Sequence, residues 1–144
     1  MERFGLTGED AQADDNDVFY IVAGRGHLDV CQWLADHFGL SAVDARARDN
    51  FVFRVAAQNG HLAVCQWLAE RFELTSEDAR ASDNYAFREA AGNGRLALCQ
   101  WMVGRFGLTA EDARARGNHA FRMAVGSGHP AMCQWLTERF TITG

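Results

Sequence analysis

The chain has 144 residues, of which 48% are hydrophobic and 23% are charged, and its formal net charge is −5 at pH 7. This composition fits a folded protein with one sizeable core and excludes a disordered chain. The charges form no basic run, which argues against a nucleic-acid partner, and no apolar stretch reaches the ~18 residues of a membrane span. Since the N-terminal residues also lack the apolar core of a signal peptide, we expect a cytoplasmic protein.

A repeat of 34 residues organises the whole sequence. Four cysteines, each followed by Gln and Trp, recur at this interval: Cys31, Cys65, Cys99 and Cys133. Extending the similarity outward gives four units, 5–38, 39–72, 73–106 and 107–140, with short end pieces 1–4 and 141–144. Such self-similarity is typical of a solenoid, in which each unit buries its apolar face against its neighbours. We therefore expect residues 1–144 to form a single repeat domain.

Each unit opens with a connecting segment that predicts a short helical turn. A Ser or Thr with Asp three residues later is a variant of the capping box, which satisfies exposed amides at a helix start. The four pairs are Thr7 with Asp10, Ser41 with Asp44, Thr75 with Asp78, and Thr109 with Asp112. The Ala and Arg residues that follow are good helix formers.

A first helix follows in each unit. In the second unit Asn50 precedes it as the predicted N-cap, and Gly60 ends it as a left-handed terminator. Within this helix Phe53, Ala56 and Ala57 recur at helical spacing, which predicts a buried face. The recurring Arg54, Arg88 and Arg122, with Tyr20 in the first unit, are expected to contact Asp or Glu of the connecting segments between units.

A second helix begins directly after the glycine. In the second unit Leu62, Cys65, Leu68 and Phe72 have helical spacing and predict its buried face. Pro130 stands in the first turn of the last such helix, where proline is accepted because that amide has no helical partner. The sequence therefore predicts an all-α protein built from four stacked helix-turn-helix units.

The repeated Cys, His and Trp residues are interpreted as structural. Equivalent positions on packed helices lie about 8–10 Å apart, too far for disulfides or for a shared metal ion. The column of His27, His61 and His129 contains Arg95 in the third unit, which neither binds metal nor accepts a proton. Trp33, Trp67, Trp101 and Trp135 are expected to pack between repeats. We assign no catalytic residue, no metal site and no cofactor.

The turn between the two helices resembles the ankyrin repeat. The segment AAQNGHLAVCQWL, residues 56–68, is similar to the AAxxGHLEVV motif of that family, and the resemblance extends over residues 5–140. It implies four stacked ankyrin-like units whose first helices present a concave face that binds another protein. The tetratricopeptide repeat shares the period, but its spaced Trp, Leu-Gly, Tyr and Pro pattern is absent.

Two columns of the first helix vary between units, and we predict that they bind a partner protein. They lie opposite the recurring phenylalanines on a helical wheel, and aromatic residues of this kind anchor interfaces. The predicted binding residues are Asp17, Ile21, Phe51, Val55, Tyr85, Glu89, His119 and Met123.

Two alternatives remain open from the sequence. The variable residues could instead fill apolar gaps between first helices, or the chain could be a structural or designed array with no dedicated partner. The terminal units lack distinct polar caps, so the chain is expected to be a monomer or to associate weakly end to end.

Overall fold

The computed structural model describes residues 17–141, and within this range all regular secondary structure is helical. In chain order the helices are α1 (Asp17–Gly24), α2 (Leu28–Phe38), α3 (Ala42–Gln58), α4 (Leu62–Arg71), α5 (Ser76–Ala79), α6 (Ala81–Gly92), α7 (Leu96–Phe106), α8 (Ala110–Ala113), α9 (Ala115–Gly126) and α10 (Pro130–Phe140). The predicted all-α class is confirmed for the described residues. The first predicted capping box, Thr7 with Asp10, lies outside them.

The first helix of each sequence unit is α1 or the C-terminal part of α3, α6 or α9. The second helix is α2, α4, α7 or α10. Each of these helices begins two residues after a glycine with a positive φ. Before α4 this glycine is Gly60, with a φ of +79°. The last of these helices starts at Pro130, as predicted. The first helices of successive units contact one another, which brings the variable columns onto adjacent helices.

The interior contains the apolar residues that recur along the sequence. Phe53, Ala56, Ala57 and Cys65 are fully buried, as the helical spacing predicts. Trp67, Trp101 and Trp135 join one unit to the next, because each packs on a phenylalanine of the preceding first helix. The ring centroids are 6.3 Å apart for Phe19 and Trp67, 6.4 Å for Phe53 and Trp101, and 6.3 Å for Phe87 and Trp135. The predicted packing between repeats is confirmed for these three tryptophans, whereas Trp33 contacts His37 and Phe38 of its own unit. Each indole remains partly exposed.

The connecting segments form the predicted short helical turns with capping boxes. At the start of α5 the backbone amide of Thr75 donates to Asp78 Oδ2 over 2.7 Å, and the amide of Asp78 donates to Thr75 Oγ1 over 3.4 Å. Thr109 and Asp112 repeat the arrangement at the start of α8. The Asp carboxylate therefore satisfies an amide that has no partner within its own helix.

The same Asp carboxylates also bind the preceding unit. Arg46 Nε donates to Asp78 Oδ1 over 2.9 Å, and Asn50 Nδ2 donates to the same oxygen over 3.0 Å. Arg80 and Asn84 bind Asp112 Oδ1 in the same way, over 2.7 and 3.1 Å. Each buried carboxylate thus joins a local helix cap to the neighbouring unit.

The predicted N-cap role of Asn50 is wrong. Asn50 has a φ of 60° and a ψ of 39°, in the left-handed region, whereas an N-cap residue has extended backbone. Its Oδ1 atom accepts no hydrogen bond, and its amide group is directed to the next unit. The Asn50 side chain therefore contributes to the contact between units and not to the helix start.

A left-handed turn of three residues precedes each of the first helices in α3, α6 and α9. The turns comprise Arg48, Asp49 and Asn50; Ser82, Asp83 and Asn84; and Arg116, Gly117 and Asn118. For L-residues this conformation costs roughly 1–2 kcal/mol per residue, and it normally occurs as single residues. Consecutive left-handed residues must therefore be held by other contacts.

The recurring arginines of the first helix supply those contacts, which corrects their predicted role. Arg54 donates to the carbonyl oxygens of Asp49 and Arg48, both over 2.9 Å, instead of binding an acidic residue of another unit. Arg88 and Arg122 bind the corresponding carbonyls of their own turns. The carbonyls of a left-handed turn point to one side, so a single guanidinium can bind two of them.

Substitution of Arg88 tests this role. Arg88 is 6% exposed and binds the carbonyl oxygens of Asp83 and Ser82, over 2.8 and 3.2 Å. We expect Arg88→Met to lower the free energy of unfolding by about 1.5–3 kcal/mol, because the two carbonyls lose a charged donor that is itself buried. The matched control Arg122→Met removes the same bonds where the arginine is exposed, and should cost roughly 0.5 kcal/mol. Equal losses in urea denaturation would contradict the assignment.

The buried carboxylates predict a loss of stability in acid. Burial raises the pKa of Asp78, but hydrogen bonds from Arg46, Thr75 and Asn50 outweigh it and hold the pKa below its ordinary value of 3.8. Asp112 behaves in the same way with Arg80, Thr109 and Asn84 as donors. A depressed pKa adds stability above the unfolded-state value, and this stability is lost as the pH falls through the folded-state pKa.

We therefore expect the melting temperature to decrease when the pH is lowered below about 4, because the two carboxylates become protonated. The double variant Asp78→Asn, Asp112→Asn should be less stable at pH 7 and should show a flatter pH dependence in thermal melts. The control is Asp36→Asn, because Asp36 is exposed and its pair with Arg71 spans 2.8 Å at the surface. An unchanged pH profile in the double variant would be inconsistent with this role.

Candidate functional site

The variable residues of the first helices form the candidate site, here called the first-helix surface. It comprises Asp17, Ile21, Phe51, Val55, Tyr85, Glu89, His119 and Met123. Asp17, Ile21 and Met123 are exposed, and the other five are partly buried. The structure thus places these side chains along adjacent first helices, and most of them also contact a residue of a neighbouring unit.

At the first two units the surface is apolar. Ile21 is 51% exposed, and Phe51 packs edge-on against Tyr20 with ring centroids 5.0 Å apart. Val55 lies beside the backbone of Gly24 in the preceding unit. At the edge of this area Asp17 Oδ1 lies 3.8 Å from Arg48 Nη1, between two exposed side chains.

At the second and third units polar contacts connect the helices. The hydroxyl of Tyr85 donates to Gln58 Oε1 over 2.9 Å. The guanidinium of Arg54 lies over the Tyr85 ring, 5.1 Å from its centroid, and 5.3 Å from the centroid of Phe51. Tyr85 is therefore held in place by three different groups, counting the Arg88 guanidinium at 5.7 Å.

The third and fourth units are joined by a polar contact and an apolar one. His119 Nε2 lies 3.4 Å from Glu89 Oε2, a contact without hydrogen-bond geometry. Met123 lies against the backbone of Gly92 and remains 43% exposed. The variable columns consequently serve in part as contacts between units, as the packing alternative expects, while Ile21 and Met123 still present apolar surface to solvent.

A shallow depression of about 320 Å³ lies between the first helices of the first two units. Its lining residues are Tyr20, Ile21, Gly24, Arg25, Phe51, Val55 and Asn59. The volume is at the lower end of the ~300–1,000 Å³ of typical ligand pockets, and the depression is open on one side. Its size is sufficient to receive a protruding side chain.

Cysteine thiols and potential metal ligands are the other side chains that could carry chemistry. Cys31, Cys65 and Cys99 are buried free thiols, and Cys133 is partly exposed. Burial raises the pKa of Cys31 to about 12 and also raises the pKa values of Cys65 and Cys99, so these thiols stay protonated at neutral pH. Within residues 17–141 no three His, Cys, Asp or Glu side chains converge to hold a metal ion.

The histidine column contributes to the contact between units. His61 Nε2 lies 3.0 Å from the carbonyl oxygen of Gly24, and Asn59 Nδ2 donates to the same oxygen over 2.8 Å. In the third unit Asn93 donates to the carbonyl oxygen of Gln58 over 3.1 Å. The hydrogen bonding expected at the inter-helix turn therefore extends to the preceding unit.

Sequence reasoning missed the depression because it compared only two columns. The next positions along the first helix also vary, and they contain Gly24 and Arg25 where the second unit has Gln58 and Asn59. Comparing every column of the repeat would have revealed that Gln58 departs from the glycine of the other three units and that Arg25 stands where the other units have Asn or Ser.

The contact between Tyr85 and Gln58 can be measured directly. We expect Tyr85→Phe to lower the free energy of unfolding by about 0.5–1.5 kcal/mol, because Gln58 Oε1 loses its donor. A double-mutant cycle with Gln58→Leu should show that the two losses are not additive. Additive losses in chemical denaturation would mean that the two side chains do not interact.

The chain was compared with known proteins at the level of sequence families and of folds. No protein-family model, curated protein or solved structure matched it. The ankyrin resemblance therefore rests on the residues of the inter-helix turn alone and stays a prediction.

Proposed function

We propose that this chain is a protein-interaction scaffold that binds a partner protein through the first-helix surface. The observation that carries the proposal is the contrast between recurring and variable columns. The recurring Phe, Trp, Asp and Asn side chains form the contacts between units, whereas Ile21 and Met123 differ between units and remain 51% and 43% exposed.

The ankyrin resemblance supports the same reading, because in that family the first helices present a concave binding face. We propose a four-unit ankyrin-like solenoid and a cytoplasmic location as parts of this function. No helix within residues 17–141 is both long and apolar enough to cross a membrane. We propose a binding role without catalysis, in which the partner is another protein and not nucleic acid or membrane.

The competing proposal is a structural or designed array without a dedicated partner. Its support is the half-buried state of Phe51, Val55, Tyr85, Glu89 and His119, whose contacts link neighbouring units. We favour the binding role because Ile21 and Met123 keep about half of their surface exposed, although Met123 also contacts Gly92. Scattered apolar residues are common on protein surfaces, so the decision requires an experiment.

The test compares two exposed apolar sites. The variant Ile21→Asp, Met123→Asp places charges on the first-helix surface, and Val43→Asp places one on the connecting part of α3, where Val43 is 79% exposed. All three positions are exposed, so each variant should retain the wild-type melting temperature within a few degrees. Proteins crosslinked to the wild type in a lysate of the source cells are identified by mass spectrometry.

We expect one partner to be recovered with the wild type and with Val43→Asp, and to be reduced about tenfold or more with the double variant, because a charge buried in an apolar contact is costly. Equal recovery with all three proteins would place the partner elsewhere. Recovery of no partner above background would favour the structural array.

A further inference from the structure

The depression between the first two units lies at a column of the repeat that holds Gly at positions 24, 92 and 126 and Gln at position 58. Position 24 is Gly in the first unit, and the equivalent position 58 is Gln in the second. The Gln58 side chain extends to the Tyr85 hydroxyl and fills the space between the second and third first helices. Gly24 has no side chain, so the equivalent space between α1 and α3 stays open.

The third unit shows that glycine alone does not leave such a space. Gly92 occupies the same column, but Met123 of the next unit covers it, and a Cβ built on Gly92 would lie only 2.9 Å from Met123 Cβ. The corresponding residue over Gly24 is Val55, which is shorter than methionine. The open depression therefore depends on both Gly24 and Val55.

The backbone carbonyl of Gly24, which lines the depression, already has two hydrogen-bond partners. The carbonyl oxygen of Gly24 already binds Asn59 Nδ2 and His61 Nε2. The remaining walls are the side chains of Tyr20, Ile21, Phe51 and Val55. An apolar group entering this space displaces water without leaving a backbone carbonyl unsatisfied, which is a favourable condition for binding.

A single positive charge stands at the rim. Arg25 is the one charged residue that lines the depression, and it is exposed. The equivalent Asn59 and Asn93 bind a carbonyl of the preceding unit, whereas the Arg25 side chain forms no hydrogen bond or ion pair within residues 17–141. A guanidinium in this setting binds a carboxylate well, since it offers several donors in a planar fork.

We propose that this depression is the anchor site for a partner segment with a large apolar side chain and an Asp or Glu nearby. The apolar side chain enters between Ile21, Phe51 and Val55, and the carboxylate pairs with Arg25. This inference rests on the proposed binding function and adds the chemistry of the segment that is recognised. The open shape favours a side chain of a protein over a small molecule that needs enclosure.

The experiment uses the whole chain and a phage-displayed library of random linear peptides. Peptides are selected on the wild type, and the most enriched one is synthesised with a fluorophore for anisotropy titrations. Gly24→Gln copies the second unit and fills the depression; its Cβ would lie 3.1 Å from Val55 Cγ2, so its fold is checked by thermal melting. Gly126→Gln is the matched control, because no atom lies within 4 Å of a Cβ built there.

We expect enriched peptides to share a large apolar residue with Asp or Glu close to it. The labelled peptide should bind Gly24→Gln at least about tenfold more weakly than it binds the wild type and Gly126→Gln. Arg25→Glu does not touch the core and gives an independent test, since selection on it should replace the acidic residue of the peptides by Lys or Arg.

Several results would overturn the inference. They are equal affinity for Gly24→Gln and the wild type, the same peptides selected on Arg25→Glu, and no enrichment of any peptide. Suppose that Ile21→Asp, Met123→Asp loses the crosslinked partner while Gly24→Gln and Arg25→Glu retain it. The binding function then stands, and only the assignment of the anchor site fails.

Discussion

The contact between neighbouring units depends on one buried carboxylate that has two tasks. Asp78 closes the capping box of its own short helix and accepts hydrogen bonds from Arg46 and Asn50 of the preceding unit. A charge at this depth is tolerated because every approaching group is a donor. The local helix start and the contact between units are therefore not separable, which couples the folding of one unit to the position of the next.

Much of the fold could be predicted because apolar spacing and capping pairs are local signals. The buried face of the first helix, the second helix after Gly60, the start at Pro130 and the capping boxes were all evident from single units. The left-handed turns were not, because no ordinary sequence signal predicts three consecutive residues of this kind. Asn50 and Arg54 were misassigned for the same reason. The hydrogen-bond partner of Asn50 lies in the next unit, and those of Arg54 lie in the left-handed turn.

The candidate site was only partly predictable. Comparing units within one chain identified the variable columns, and the structure places Ile21 and Met123 of those columns at the surface. It could not reveal that Phe51 packs on Tyr20 or that Tyr85 binds Gln58, since these contacts depend on the distance between adjacent first helices. Nor could two columns alone show that Gly24 removes the side chain that would fill the gap.

The pairing of Arg80 and Asn84 with Asp112 limits how such a chain can change in length. Insertion or deletion of a whole 34-residue module keeps the Arg and Asn donors of one unit opposite the Asp of the next, because donor and acceptor recur in the same frame. In the last unit Arg114 instead donates to the carbonyl oxygen of Phe140 over 3.2 Å. A change of length between a donor and its Asp would separate the two groups, so the addition of complete units disturbs the fewest of these buried contacts.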